Sequence, residues 1–195
     1  MTSISALESI HKKGLFGDYE DKNENKLTKI QERKNLLIIQ IVQYKKSSAS
    51  ITDIILDDLN LTNEAHKVIS NDDTRILWCG PKNWLFISTK KDLLTNIKQT
   101  LKERDFAVTD LSHSRAIIEL EGENSKEILK KGCPFNFNKL KKNNCVNSVF
   151  HGITITVDMI DDDPNKIRLF ALRSFGESLY HSITDASLEF GYKAI

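Results

Sequence analysis

The sequence predicts an α+β fold built on antiparallel sheets, and three observations carry that prediction. Strand-like apolar runs recur along the chain, shorter segments repeat apolar residues at helical spacing, and Gly, Pro and Asn punctuate the junctions. Of the 195 residues, 39% are hydrophobic and 28% charged, an ordinary balance for a chain that buries a real core. That length allows one large domain or two small ones.

The first 33 residues are polar, with the charged stretch Asp18–Glu24 inside them. Leu15, Phe16 and Tyr19 lie around two glycines in "GLFGDY", so residues 1–33 form either an arm that docks on something or a disordered leader. From residue 34 the pattern becomes regular. "NLLIIQIVQY" (Asn35 to Tyr44) is β-branched and apolar enough for a buried strand. Ser50 to Leu59 reads as a helix, because Ile51, Ile54, Ile55 and Leu59 fall on one face. "TRILWCGPKNWLFIS" reads as two strands, Arg75 to Cys79 and Trp84 to Ser88, around a Gly80–Asn83 turn. Thr89 is placed to cap a helix with the stripe Leu93, Ile97, Leu101, and "FAVTDL" follows as a strand. The order over 34–110 is β-α-β-β-α-β, that of a ferredoxin-like plait.

The pattern restarts over 111–195. "RAIIELEG" is a strand with a glycine stop, and Asn124 with Glu127 starts a helix that Gly132 ends in the left-handed conformation. Cys145–Phe150 and Ile153–Ile160 read as a hairpin joined at His151-Gly152, and Ile167–Leu172 as a further strand. Ser174 and Glu177 form an S-x-x-E capping box for a last helix with the stripe Leu179, Ile183, Ala186, Phe190 and a Gly191 stop. This half is roughly β-α-β-β-β-α. The whole is read as two packed ferredoxin-like plait halves with antiparallel sheets and helices on one face.

Few function classes survive the search for chemistry. The net charge of +1 demands no nucleic-acid partner. Lys126, Lys130, Lys131, Lys139, Lys141 and Lys142, interleaved with Phe135 and Phe137, resemble a single-strand surface, but with near-neutral charge and no nucleic-acid motif they are read as a solvated lysine face. No phosphate-binding loop is present. Cys79, Cys133 and Cys145 form no C-x-x-C pair, so reduced thiols are expected, and the five scattered histidines lack metal-ligand spacing. "DDDP" (Asp161 to Pro164) is turn chemistry. "DLSHSR" (Asp110 to Arg115) holds Asp, Ser and His, but neighbours in an extended segment point to opposite faces, so a nucleophile and its base do not meet there. No signal peptide and no apolar run of membrane length is visible, so a cytoplasmic chain with no membrane contact is expected.

Four segments, in order, resemble the gamma subunit of heterotetrameric sarcosine oxidase. "LWCGPKNWLF" (Leu77 to Phe86) is similar to the family's L-W-x-G-P-x-x-W-L hairpin, and "DLSHSRAIIELEG" to its D-x-S-H-x-R strand entry. "ILKKGCPFNF" (Ile128 to Phe137) is similar to its L-x-K-G-C-P segment, with Asn136 or Asn138 where an acid is usual. "RSFGESLYHSITDASLEFG" resembles the family's terminus, with Gly176 and Ser182 in place of Ala and Trp.

The resemblance implies a subunit of a complex that oxidatively demethylates sarcosine to glycine. The methyl carbon passes to tetrahydrofolate as 5,10-methylene-tetrahydrofolate, or leaves as formaldehyde, and oxygen becomes hydrogen peroxide. It implies alpha, beta and delta partner subunits, alpha above all, near a folate-binding, aminomethyltransferase-like region. It also implies FAD, FMN and NAD in alpha and beta, zinc in delta, and no catalytic, cofactor or metal residue in this chain. Two alternatives stand beside it: the equivalent subunit of an oxidoreductase for another N-methyl amino acid such as N-methylglutamate, and a stand-alone folate-binding protein. The candidate subunit contact is His113, Ser114, Arg115, Arg173 and Phe175.

Overall fold

The computed structural model describes residues 5–195. In chain order it forms β1 (Gly14–Phe16), β2 (Thr28–Glu32), β3 (Leu37–Gln43), the short β4 (Ile55–Leu56) and β5 (Leu59–Asn60), β6 (Val68–Ser70), β7 (Thr74–Gly80) and β8 (Asn83–Ser88). Helix α1 (Leu93–Thr100), β9 (Phe106–Asp110), β10 (Arg115–Glu121), α2 (Ser125–Lys130) and β11 (Asn144–Phe150) follow. The chain ends with β12 (Ile153–Asp162), β13 (Asn165–Leu172), α3 (Gly176–Ser187) and β14 (Tyr192–Ala194). These elements divide into two units. One takes the chain up to Lys34 with Ser114–Lys142 and Val146–Ile195, and the other takes Asn35–His113 with Asn143–Cys145.

The first unit is a seven-stranded sheet in the order β1-β14-β2-β10-β13-β12-β11. Strand alternation sends Ile118 and Leu120 of β10, Val157 and Met159 of β12, and Ile167 and Leu169 of β13 to one face. There they share a core with Ile128 and Leu129 of α2 and Leu179 and Ile183 of α3. Each such side chain contributes about 1.5–3 kcal/mol when fully buried.

The N-terminal segment runs along α3. Leu7 is fully buried in this core. Ser9 Oγ donates to Glu177 at 2.5 Å, and His11 Nδ1 lies 2.8 Å from the Tyr180 hydroxyl. Beyond the helix, the Asp18 N–H donates to the Leu188 carbonyl at 2.8 Å, and Lys22 Nζ donates to the Glu189 and Phe190 carbonyls. The close fit needs glycine at both ends. A Cβ on Gly176 would lie 2.9 Å from the Ala116 Cβ. Gly191 has φ +66°, and a Cβ there would lie 2.4 Å from the Asp18 carbonyl oxygen.

The second unit is a five-stranded antiparallel sheet, β6-β7-β8-β3-β9. Ile39 and Ile41 of β3, Trp84 and Phe86 of β8 and Phe106 of β9 meet Leu93, Ile97 and Leu101 of the α1 stripe on one face. The turn between β4 and β5 is held by a polar cluster. Asp57 accepts from Thr74 Oγ1 at 2.5 Å, from Lys90 Nζ at 2.9 Å and from Asn71. Burial pushes the Asp57 carboxyl up, but these three partners outweigh it and hold the group below the usual carboxylate range.

Several expectations differ from the structure. Residues 50–59 are not a helix: Ile51–Asp53 is a single 3-10 turn that leads into the β4–β5 hairpin. Asp57 and Asp58 both have positive φ, the geometry of a type I′ turn, and β-branched Ile and Thr disfavour helix. The first of the two helices expected in that plait is therefore missing, while the second is present as α1. The sheet of the first unit is mixed, since β14 and β2 run parallel, Tyr192 opposite Thr28. Within residues 1–33, β1 and β2 are strands of that sheet; the first four residues of the expected arm lie outside the described residues.

The expected helix caps also differ. Thr89 bonds Asp73, and α1 starts at Leu93 after Asp92. Arg173–Phe175 forms a 3-10 turn, so α3 starts at Gly176 and Ser174 is not its cap. Gly132 is not left-handed; a Cβ there would lie 2.8 Å from the Phe150 ring, so close approach demands the glycine.

Gly176 gives a test in which two effects oppose. Alanine favours a helix over glycine by about 1 kcal/mol, but the approach to Ala116 leaves no flexible atom to yield, and overpacking costs about 1–3 kcal/mol. Gly176→Ala is expected to lower Tm, and Ala116→Gly to restore part of the loss. A higher Tm for the single variant contradicts this packing.

Candidate functional site

The polar side chains that invite a catalytic reading serve the fold. The Ser112 hydroxyl accepts the Ile38 N–H at 3.0 Å and bonds Asp110, whose carboxylate also accepts the Ser112 N–H at 2.9 Å. The Ser112 bond is the main reason that the Asp110 carboxyl titrates below the usual range, against the opposing effect of burial. The pair fastens the end of β9. His66 Nδ1 lies 3.1 Å from the Cys145 carbonyl, and His151 sits in the β11–β12 turn with positive φ. Burial pushes the Cys133 thiol up to about 11, away from reactivity. Among the described residues, no three His, Cys, Asp or Glu side chains gather as metal ligands.

Most of the lysine-rich segment is tied down by acids and carbonyls. Lys126 reaches Asp162 at 3.5 Å and the Leu140 carbonyl at 3.1 Å, Lys130 pairs with Glu127 and Lys142 with Asp161. Lys131 pairs with Glu189 at 2.9 Å, donates to the Ala186 carbonyl and lies over the Phe190 ring. Phe137 is fully buried, so it offers no stacking surface to a base.

Four of the five residues expected at a subunit contact come together in the first unit. Arg115 opens β10 opposite Leu172, the last residue of β13. The Arg173 N–H donates to the Ser114 carbonyl at 2.9 Å, which closes the turn that carries Phe175. His113 ends the main segment of the second unit and is exposed. Phe175 is 46% exposed and Leu172 is 48% exposed, two large apolar side chains on one short stretch. Leu172 was not anticipated. Its signal is alternation: Ile167, Leu169 and Ala171 face the helices, so Leu172 falls on the face of Lys166 and Arg168.

That opposite face carries a ladder of charges that was not anticipated either. Glu119, 1% exposed, accepts from Gln31 of β2 at 3.0 Å and from Arg168 of β13 at 2.8 and 3.1 Å. Lys166 lies 3.4 Å from it and Arg33 3.8 Å. Glu121 sits between Lys166 at 2.8 Å and Lys29 at 3.2 Å. The Lys166 bond, against burial, holds the Glu121 carboxyl below its usual range. For Lys166, burial opposes the charge, but Glu121 and Glu119 prevail and its pKa is raised. This arrangement specifies strand register and supports the sheet end that displays Leu172; no reacting group is displayed by it.

Comparison with known proteins follows the same lines. The family model described as sarcosine oxidase, gamma subunit family, matches residues 49–189. Sarcosine oxidase subunit gamma of Corynebacterium sp. strain U-96 is 27% identical over 120 residues, 60% of this chain and 58% of that protein. The subunit of strain P-1 is 33% identical over 66 residues, 33% of this chain and 32% of that protein. The match thus spans little more than half of the first relative's length and a third of the second's. Among solved structures, the heterotetrameric sarcosine oxidase of strain U-96, in complex with pyrrole 2-carboxylate, contains a chain of similar fold. Its TM-score is 0.76 at 22% identity, over 86% of this chain and 87% of that one. The glycine cleavage system aminomethyltransferase T from Bartonella henselae has TM-score 0.60 at 10% identity, over 87% of this chain and 48% of that one. At these identities both likenesses concern the fold.

Two outcomes check this description. Glu119→Ala leaves Arg168 buried beside an empty position, so a loss of about 3–5 kcal/mol in a denaturant melt is expected; a loss below about 1 kcal/mol would show that the ladder is dispensable. A thiol reagent at pH 8 is expected to leave Cys133 unmodified until the chain unfolds, because the thiolate is scarce well below its pKa of about 11 and the side chain is buried. Rapid labelling of Cys133 in the native chain would contradict that placement.

Proposed function

The chain belongs to the sarcosine oxidase gamma subunit family, and on that premise we propose that it is the non-catalytic gamma subunit of a heterotetrameric sarcosine oxidase. The observation that carries the reading is the family match over residues 49–189, which takes in the Leu77–Phe86 hairpin, the "SHSR" entry to β10 and the whole of α3. The complex oxidises sarcosine to glycine, passes the methyl carbon to tetrahydrofolate as 5,10-methylene-tetrahydrofolate and reduces oxygen to hydrogen peroxide. FAD, FMN and NAD belong to the alpha and beta subunits and zinc to delta. This chain packs on alpha and stabilises it. The reading places the complex in the cytoplasm, and none of the described helices is long and apolar enough to cross a membrane.

In this reading the chain's residues act by presenting a surface. Leu172 and Phe175 supply exposed apolar area at the end of the charged sheet face, with Ser114, Arg115 and Arg173 around them and His113 nearby in sequence. A few well-packed apolar or Arg anchors carry most of the energy of such contacts.

Leu172→Glu with Phe175→Glu removes the anchors from the exposed surface, where substitutions move stability by only about 0.5 kcal/mol. The expected result is a folded chain of nearly unchanged Tm whose binding to purified alpha subunit weakens about 30-fold, the effect of losing about 2 kcal/mol of contact. Arg115→Ala and Arg173→Ala are expected to weaken it further. Undiminished binding of all these variants contradicts the contact surface, and no binding by the unmodified chain contradicts the subunit reading.

A further inference from the structure

We infer that the outer edge of β9 is a docking edge for an uncharged, extended segment of another subunit, which adds a strand to the five-stranded sheet. The inference rests on the subunit reading above. Strand β9 is outermost in that sheet, and its register with β3 is unbroken from Gln43↔Phe106 to Ile39↔Asp110. The Tyr44 N–H donates to the Asp105 carbonyl at 2.9 Å and the Leu111 N–H to the Ile38 carbonyl at 2.7 Å. Antiparallel pairing alternates, so Ala107 and Thr109 also exchange bonds with β3. Val108 and Asp110 then aim both N–H and C=O away from it. The Phe106 N–H is taken by the Lys102 carbonyl at 3.0 Å, which leaves its carbonyl outward.

Exposed edges are ordinarily blunted by short length, lysine, proline, a bulge or an inward charge. Of the other outer strands, β1 and β6 have three residues each, and β11 is held at its start, where Asn144 bridges to Lys67 and the Cys145 N–H donates to the His66 carbonyl. The five residues of β9, Phe-Ala-Val-Thr-Asp, contain no Lys, Pro or Gly and no break in register. Asp110 is the one charge, and its carboxylate is folded back on the Ser112 N–H.

Beside this edge lies an open groove of about 450 Å³, lined by Tyr44, Lys98, Leu101, Phe106, Val108 and Thr109. Tyr44 is 44% exposed at its rim. The two charged residues that line the groove, Lys98 and Glu103, are of opposite sign, and Arg104 pairs with Asp105 nearby. A neutral groove beside a row of main-chain donors and acceptors complements an uncharged strand. The main-chain bonds supply affinity and the groove takes side chains that project from one side of the incoming segment.

Val108→Pro tests this, because it deletes an outward N–H and no bond to β3. The unmodified chain and the variant are each co-expressed with the alpha, beta and delta subunits of the complex and purified through a tag. Main-chain hydrogen exchange is read at Val108 and Asp110 in the isolated chain and in the complex. The expected result is a folded variant that recovers about tenfold less of the other subunits, and in the unmodified complex at least about tenfold slower exchange at both amides than in the isolated chain. Equal recovery by both chains with unprotected amides overturns the docking edge and leaves the subunit reading standing. Recovery by neither chain overturns both. Should the variant fail to fold, the exchange at Val108 and Asp110 decides alone. Protection of these amides by concentration-dependent self-association, without the other subunits, overturns the inference in favour of a second copy of this chain.

Discussion

A buried carboxylate needs partners, and Glu119 draws them from both neighbouring strands. Gln31 reaches it from β2, and Arg168 and Lys166 from β13. A slip of one residue in either pairing would turn Glu119 into the apolar core and leave Arg168 without it, so the charge ladder and the apolar face enforce one register together. This constraint explains why the beginning of the chain is part of the sheet. Once β2 is fixed against β10, β14 and β1 are added beyond it, and the two ends of the sequence are knit into one edge.

The last helix closes its own core. Its apolar stripe covers the sheet, the N-terminal segment runs along it, and lysines from two different segments, Lys22 and Lys131, donate to carbonyls at or just beyond its C-terminal end. Cations belong at that end, where the unpaired carbonyls concentrate negative charge. With its core side satisfied, what this region offers outward is the turn before it, where Leu172 and Phe175 are exposed. In the proposed reading, the exposed Leu172 and Phe175 and the outer edge of β9 are the surfaces offered to other proteins.

How much was legible in the sequence varied with the environment of each segment. Strand β3 was plain because both its faces are buried, which leaves an almost continuous apolar run. Strand β2 was hidden for the opposite reason: in Thr-Lys-Ile-Gln-Glu, Ile30 meets the core while Lys29 and Gln31 serve the charge ladder, so the segment reads as polar. The Ser50–Leu59 segment misled because its isoleucines match helical spacing, while the deciding feature, two aspartates at positive φ, has no glycine to announce it. In the candidate contact, Ser114, Arg115, Arg173 and Phe175 stood out through the motifs that hold them. Leu172 and Glu119 did not, since each has meaning only in register with a partner strand.

The most direct test of the account is purification of the chain from its native cell under mild conditions, with the mass of the assembly and its visible spectrum recorded together. The account predicts a yellow assembly that contains alpha, beta and delta polypeptides beside this chain and consumes oxygen when sarcosine is added. A colourless species that contains this chain alone would contradict it.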